Sequence, residues 1–184
     1  MVMSARFVVN VISSDPQAMR TLRAAARLGL PDWWIGAGFV RNRVWDAISG
    51  LPGRPERDVD VAYFAPANPD PAEDVRFEAQ AETLLPGVPW EIRNQARMHL
   101  HNGVDPYTST RDAISRWPET ATCIAVTLRN DSVHLMTCHG IADLVDMVVR
   151  PSPAFDNPAG RAKVQSRVDA KGWTSRWPRL RLEL

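Results

Sequence analysis

The sequence predicts an α+β fold, a mixed β-sheet of about five strands flanked by helices, and three observations point to it. Residues 33–64 read in the order strand, glycine turn, helix, strand. Residues 123–138 read as a β-hairpin, two apolar-rich runs around a polar turn at 129–132. Residues 14–29 and 72–85 carry apolar side chains at the spacing of amphipathic helices.

In chain order, Ser14 or Asp15 can cap the first helix, Pro16 suits its first turn and Gly29 its end. Met19, Leu22 and Ala26 form its apolar stripe, and Arg20, Arg23 and Arg27 a solvated face. Trp33, Trp34 and Ile35 form a short strand before the Gly36-Ala37-Gly38 turn, and a helix over 39–49 follows, with Val40, Val44 and Ile48 at helical spacing. A Pro- and Gly-rich loop, 51–57, returns the chain to a strand built on Val59, Val61, Tyr63 and Phe64. After the loop 65–71, the helix over 72–85 exposes Glu73, Asp74, Glu78 and Glu82 to solvent. On the strand at 88–93, Trp90 and Ile92 face one way and Glu91 and Arg93 the other. A dense polar run follows (Asn94, Gln95, Arg97, His99, His101), then loop and short helix to Trp117-Pro118. In either register of the hairpin Cys123 faces Cys138, and a reducing compartment keeps both as thiols. A helix is expected over 141–149, a linker over 150–153 and a basic helix over 157–170. Trp173 and Trp177 can stack on a base, but so close to a terminus they more simply pin the tail. The organisation is one domain: a core over 1–150 and a helical tail, 151–184, packed on it.

At 184 residues, with 45% hydrophobic and 23% charged, the chain has the make-up of an ordinary globular protein. A net charge of +1 gives no general drive onto long nucleic acid. The first ten residues lack the apolar core of a signal peptide, and no apolar run approaches the ~20 residues of a membrane span. A cytoplasmic protein without a membrane partner is expected.

The chemistry concentrates at 36–60. A strand that turns on glycines into a helix points backbone N–H groups at one spot, a seat for phosphate. Asp58 and Asp60 lie on one face of the next strand, with Cα atoms about 6.6 Å apart at ~3.3 Å per residue. Two neighbouring carboxylates suit a divalent cation, and divalent cations suit phosphates. Taken singly, each feature has a plainer reading, since glycine turns join many strands to helices and Asp-x-Asp occurs on solvated edges. Gly36-Ala37-Gly38 also opens a dinucleotide-type pattern, but Arg41 stands where that fold needs its third glycine. Two histidines at His99 and His101 alone are a weak metal signal.

This order resembles the nucleotidyltransferases related to DNA polymerase β, in which a small-residue turn precedes a helix and the next strand holds two metal-binding aspartates. Ala37-Gly38-Phe39-Val40-Arg41 resembles the Gly-Gly-x-Val-Arg-Asp signature of tRNA-end-adding and poly(A)-adding enzymes. Closer still, the chain is similar to a family of small bacterial nucleotidyltransferase-like proteins, long a domain of unknown function. That likeness runs through Trp33 to Asn42, Val44-Trp45-Asp46, Asp58-Val59-Asp60-Val61, Asn94-Gln95-Ala96-Arg97-Met98-His99 and Trp177-Pro178. The chain departs from the wider superfamily at Ala37, for the first glycine, and at Asn42, for the aspartate. The stretch before Asp58 is also longer.

The resemblance implies transfer of a nucleoside monophosphate from an NTP, with Asp58 and Asp60 holding two Mg²⁺ ions. Glu91 is the candidate third carboxylate, completing the metal set or acting as base. Gly36, Ala37 and Gly38 would keep the backbone near the triphosphate, the Gly38 and Phe39 amides would donate to it, and Arg41, with Asn42 beside it, would pair with a phosphate oxygen. Small size and near-zero charge lean towards a small-molecule or protein hydroxyl as acceptor over long RNA; oligomeric state is left open. Two alternatives keep the same residues: a catalytically silent nucleotide- or RNA-binding module, and a metal-dependent phosphohydrolase.

Overall fold

The middle of the sheet is its shortest main strand. In the computed structural model, which describes residues 4–184, β1 (Trp34–Gly36) lies between β2 (Val59–Tyr63) and β4 (Ile124–Arg129), antiparallel to both. The sheet is completed by β3 (Trp90–Asn94), parallel to β2, and by β5 (Ser132–Thr137), the second arm of the hairpin, giving the order β3-β2-β1-β4-β5. The expected α+β fold with a mixed five-stranded sheet is therefore present.

The pairings follow from the connections. α3 (Gly38–Ser49) and the loop after it bring the chain back antiparallel beside β1. Parallel strands need a crossover, and α4 (Pro71–Leu84) supplies it between β2 and β3. Asp70 caps α4 through the Ala72 amide and Pro71 occupies its first turn. α2 (Pro16–Ala26) uses the same grammar, with Asp15 capping the Gln17 and Ala18 amides, and Arg20 and Arg23 on it and Arg27 at its end are exposed as expected. The hairpin turns on Asn130 and Asp131, both at positive φ (49° and 57°), the backbone of a two-residue turn matching strand twist. Its register sets Cys123 against Cys138, the Cys138 amide donating to the Cys123 carbonyl at 3.1 Å, and both thiols are free.

Three segments depart from the sequence reading. The reading names no element over 5–13, but α1 (Ala5–Ser13) is a helix; its β-branched residues are poor helix formers, and burial of Val8 and Ile12 decides the outcome. The polar run after Asn94 becomes α5 (Gln95–Asn102), capped by the Asn94 side chain. The helix expected over 141–149 stops early: α7 (Ala142–Val145) ends, Met147 turns at φ 56°, and Val148–Val149 form β6. Asp74, expected in solvent, is 2% exposed, since it accepts from the Tyr63 hydroxyl at 2.7 Å and the Asn94 amide and pairs with Arg97. The signal-peptide reading includes residues 1–3, which lie outside the described residues. Among the described residues, no helix is long and apolar enough to cross a membrane.

After α6 (Thr110–Ser115) and the hairpin, the chain closes with α8 (Pro158–Ala170), α9 (Trp173–Arg176) and β7 (Arg181–Leu182), the last pairing with β6. Trp173 and Trp177 are buried edge-on against Trp45 of α3, with ring centroids 5.7 and 5.0 Å away. Beside them Asp46, 5% exposed, accepts two bonds from the Arg176 guanidinium at 2.9 and 2.7 Å and one from Trp177 Nε1 at 2.8 Å. Cutting one partner from such a buried set strands the others. Asp46→Ala is therefore expected to cost about 3 kcal/mol in urea unfolding followed by tryptophan fluorescence; a loss under about 1 kcal/mol would mean the tail is held by other contacts.

Candidate active site

The corner between β1 and α3 is built from conflicting local demands. Ala37 occupies the N-cap of α3 at φ 50°, ψ −125°, a backbone region that costs an L-residue with a Cβ. It offers no capping side chain, and the first turn of α3 has no acidic residue. The helices α2, α4, α5 and α8 are each capped by an Asp or Asn side chain. The first amides of α3 are thus left without a side-chain acceptor, at the positive end of a helix dipole.

Ala37, Gly38, Arg41, Asn42, Asp58, Asp60 and Glu91 all line one cleft of about 500 Å³. A Cβ placed on Gly38 would stand 3.8 Å from Asp58 Oδ1, so the corner and the acidic strand meet without intervening side chains. The parallel register pairs Asp60 with Glu91, which puts those two carboxylates on neighbouring strands of one face. Gly36 and Phe39 do not line the cleft. Trp117 packs over Gly36, leaving a Cβ there only 2.7 Å from its ring, and Phe39 is 1% exposed beneath the Arg43 guanidinium.

The electrostatics follow from this crowding. Burial, then the charges of Asp58 and Glu91, push the Asp60 carboxyl up to about 6. Among the described residues no three His, Cys, Asp or Glu side chains are gathered closely enough to form a metal-binding group, His99 and His101 included. The donor set still has the chemistry of a hard-cation site, since it offers carboxylate oxygens alone and their repulsion leaves charge for a cation to neutralise.

Arg41 is 3% exposed, and burial lowers its pKa to about 10, so it stays cationic at neutral pH. Its Nη1 donates to Thr122 Oγ1 and its Nη2 to Asn42 Oδ1, each at 2.9 Å, while its guanidinium stacks 4.0 Å from the Trp173 ring centroid. Its Nε has no partner. Sequence reasoning weighed Trp173 only as a base-stacking or tail-pinning residue and missed the others that the tail and α5 bring to the same cleft: Arg167 and Lys171 from one side of the fold, Gln95, Met98 and Asn102 from another. The basic character of 157–170 and the polar run after Asn94 were the available signals, but neither says which face of the protein they reach.

A nucleotidyltransferase family model matches residues 23–182. The chain belongs to that family. No curated protein matches it. Among solved structures, it is 32% identical to a protein whose NMR structure reveals a CCA-adding enzyme head domain, covering 100% of this chain and 97% of that one at a TM-score of 0.85. The Thermotoga maritima CCA-adding enzyme complexed with tRNA is 17% identical, with a TM-score of 0.58 over 96% of this chain and 42% of that one. A CCA-adding enzyme in complex with ATP is 18% identical at a TM-score of 0.55, matched over 96% of this chain and 41% of its own. These two share the fold, and this family member spans about two fifths of their length.

Two stability measurements test the corner and the strand separately. Ala37→Gly is expected to stabilise the protein by about 1 kcal/mol in urea unfolding, relief of the strained backbone outweighing the looser unfolded chain; destabilisation would show Ala37 to be unstrained. Asp60 titrates near 6 when folded, above its unfolded value near 4, so the folded state holds the extra proton between these pH values. Its contribution to stability therefore falls as pH rises through that window. Asp60→Asn should raise metal-free stability at pH 7 by on the order of 2 kcal/mol and flatten the decline between about pH 4 and 6, measured in EDTA. An unchanged pH profile would mean that Asp60 is neither shielded from water nor crowded by Asp58 and Glu91.

Proposed function

We propose that this protein transfers a nucleoside monophosphate from an NTP to an acceptor hydroxyl, releasing pyrophosphate, with Mg²⁺ as its metal. One observation carries the reading. The uncapped start of α3 and the carboxylates of β2 and β3 open on a single cleft, with Asp58 Oδ1 3.8 Å from the Cβ position of Gly38. Either feature alone is ordinary. Together they complement the two parts of a metal–triphosphate complex, its phosphates and its cations.

Asp58 and Asp60 would hold two Mg²⁺ ions, with Glu91 completing the set or receiving the acceptor's proton. Bound there, Mg²⁺ supplies charge neutralisation at the α-phosphate and at the attacking oxygen. The Gly38 amide would donate to the triphosphate, with Gly36, Ala37 and Phe39 setting the backbone that presents it. Arg41 offers a fixed positive charge or a phosphate contact, held by Asn42. In the transfer the acceptor oxygen bonds to the α-phosphorus as the bridge to the β-phosphate breaks. Where Glu91 serves as the base, the hydroxyl proton passes to its carboxylate, and where it completes the metal set, the proton passes to solvent; in both, pyrophosphate leaves.

The favoured acceptor is a small-molecule or protein hydroxyl rather than long RNA. A net charge of +1 supplies no broad attraction to a polyanion. The CCA-adding enzyme complexed with tRNA matches this chain over only 42% of its length. A second reading, a catalytically silent nucleotide- or RNA-binding module, is favoured by Arg41, whose Nη1 and Nη2 are already committed to Thr122 and Asn42. Pyrophosphate release from each of the four NTPs, with Mg²⁺ and a panel of acceptors, separates the two. Asp58→Asn and Asp60→Asn are each expected to abolish Mg²⁺-dependent turnover with the circular dichroism unchanged. Wild-type turnover in either variant would refute the metal assignment, and metal-dependent binding without pyrophosphate release would favour the silent module.

A further inference from the structure

The tail delivers an ammonium group to the acidic strand. Lys171, the residue that ends α8, places its Nζ 4.0 Å from Asp58 Oδ2 and lines the same cleft as Ala37 and Gly38. Several other cations of the cleft are already engaged. Arg43 pairs with Asp15 and Glu56, Arg93 with Glu78, Arg167 with Glu119 and Arg176 with Asp46. Arg41 is buried among Trp45, Trp173, Thr122 and Asn42. Arg54 and Arg57 extend from the exposed loop after α3.

Lys171 differs from all of these. Its side chain is 42% exposed, its contact with Asp58 lies at the outer limit of an ion pair, and its stem is flexible. Its backbone, by contrast, is anchored. The Lys171 amide donates to the Arg167 carbonyl at 3.0 Å, and Trp173, two residues on, is buried against the Arg41 guanidinium. A fixed root thus carries a free ammonium beside a carboxylate of the metal-binding pair.

An ammonium and a divalent cation repel each other across one carboxylate, so filling the acidic site displaces the lysine. The anion that arrives with the metal is the triphosphate. We infer that Lys171 is the resident counter-ion of Asp58 in the nucleotide-free protein and moves onto the triphosphate when nucleotide and Mg²⁺ enter. The C-terminal helix is thereby part of the nucleotide site. This rests on the nucleotidyltransferase reading above, and Lys171 is a substrate-binding residue in it, with no role in proton transfer.

The inference predicts two changes of opposite sign in one variant, which loss of packing does not produce. Titration calorimetry on the full chain measures binding of Mg²⁺ alone, then of α,β-non-hydrolysable analogues of the four NTPs with Mg²⁺ present. In Lys171→Ala, Mg²⁺ alone should bind about fivefold tighter, because a competing charge at ion-pair distance is gone. The best-bound analogue should bind about tenfold weaker, through loss of a charge-assisted contact. Lys171→Arg should recover most of the analogue affinity, and Lys163→Ala, which removes an exposed charge of α8 beside Phe155, should change neither value. If Lys171→Ala binds both like wild type, or loses both affinities together, the inference falls and the nucleotidyltransferase reading stands. If wild type binds neither Mg²⁺ nor any analogue, both fall.

Discussion

A guanidinium group shut away from water joins the three parts that make the cleft. Arg41 rises from the first turns of α3, bonds Thr122 just ahead of β4, and lies against Trp173 at the start of α9. Burying a charge is costly unless other groups share it, and here two hydrogen bonds and two aromatic faces do so, with Glu119, Asp60 and Asp58 adding favourable long-range attraction. Without the tail, Arg41 would lose Trp173, the nearer of its two aromatic faces, and Asp46 its two partners from 176–177. The tail is therefore a wall of the cleft as much as a packing element.

Around that centre the chain accepts three local costs that meet at one cleft. Ala37 holds a backbone conformation that suits glycine better, the start of α3 lacks a cap, and Asp60 is crowded by two like charges. Elsewhere α2, α4, α5 and α8 carry side-chain caps, the tryptophans pack edge-on, and Asp74 is fully engaged by Tyr63, Asn94 and Arg97. Three different costs gathered around one cleft are the mark of a site shaped for a ligand. An anion at the helix start and a cation among the carboxylates would relieve two of the three costs.

The polymerase β-like core was readable in the sequence wherever the signal was local. Strand periodicity pointed to a strand at 59–63, with Asp58 just ahead of it and Asp60 within it, Pro and Asp marked the starts of α2 and α4, and the hairpin followed from its polar turn. Two of the readings that failed, at both ends of the core, hinged on distant partners, whereas α5 starts on a local cap from Asn94. Val148 and Val149 continue a helical pattern on paper, but Arg181 and Leu182 offer them a strand edge. Val8 and Ile12 lie in a segment rich in β-branched residues, and contact with α3 and β5 is what makes it helical.

By itself, the sequence determined the two halves of the candidate site, because a glycine corner and an alternating strand are written in residues that lie side by side. Tertiary structure alone decided that β3 aligns Glu91 with Asp60, that Gly36 and Phe39 turn away from the cleft, and that Lys171 reaches Asp58 from more than a hundred positions along the chain. The reason is physical. Dihedral preference and side-chain period act over a few residues, whereas the approach of distant charges is set by which apolar faces pack together, and no short stretch of sequence specifies that.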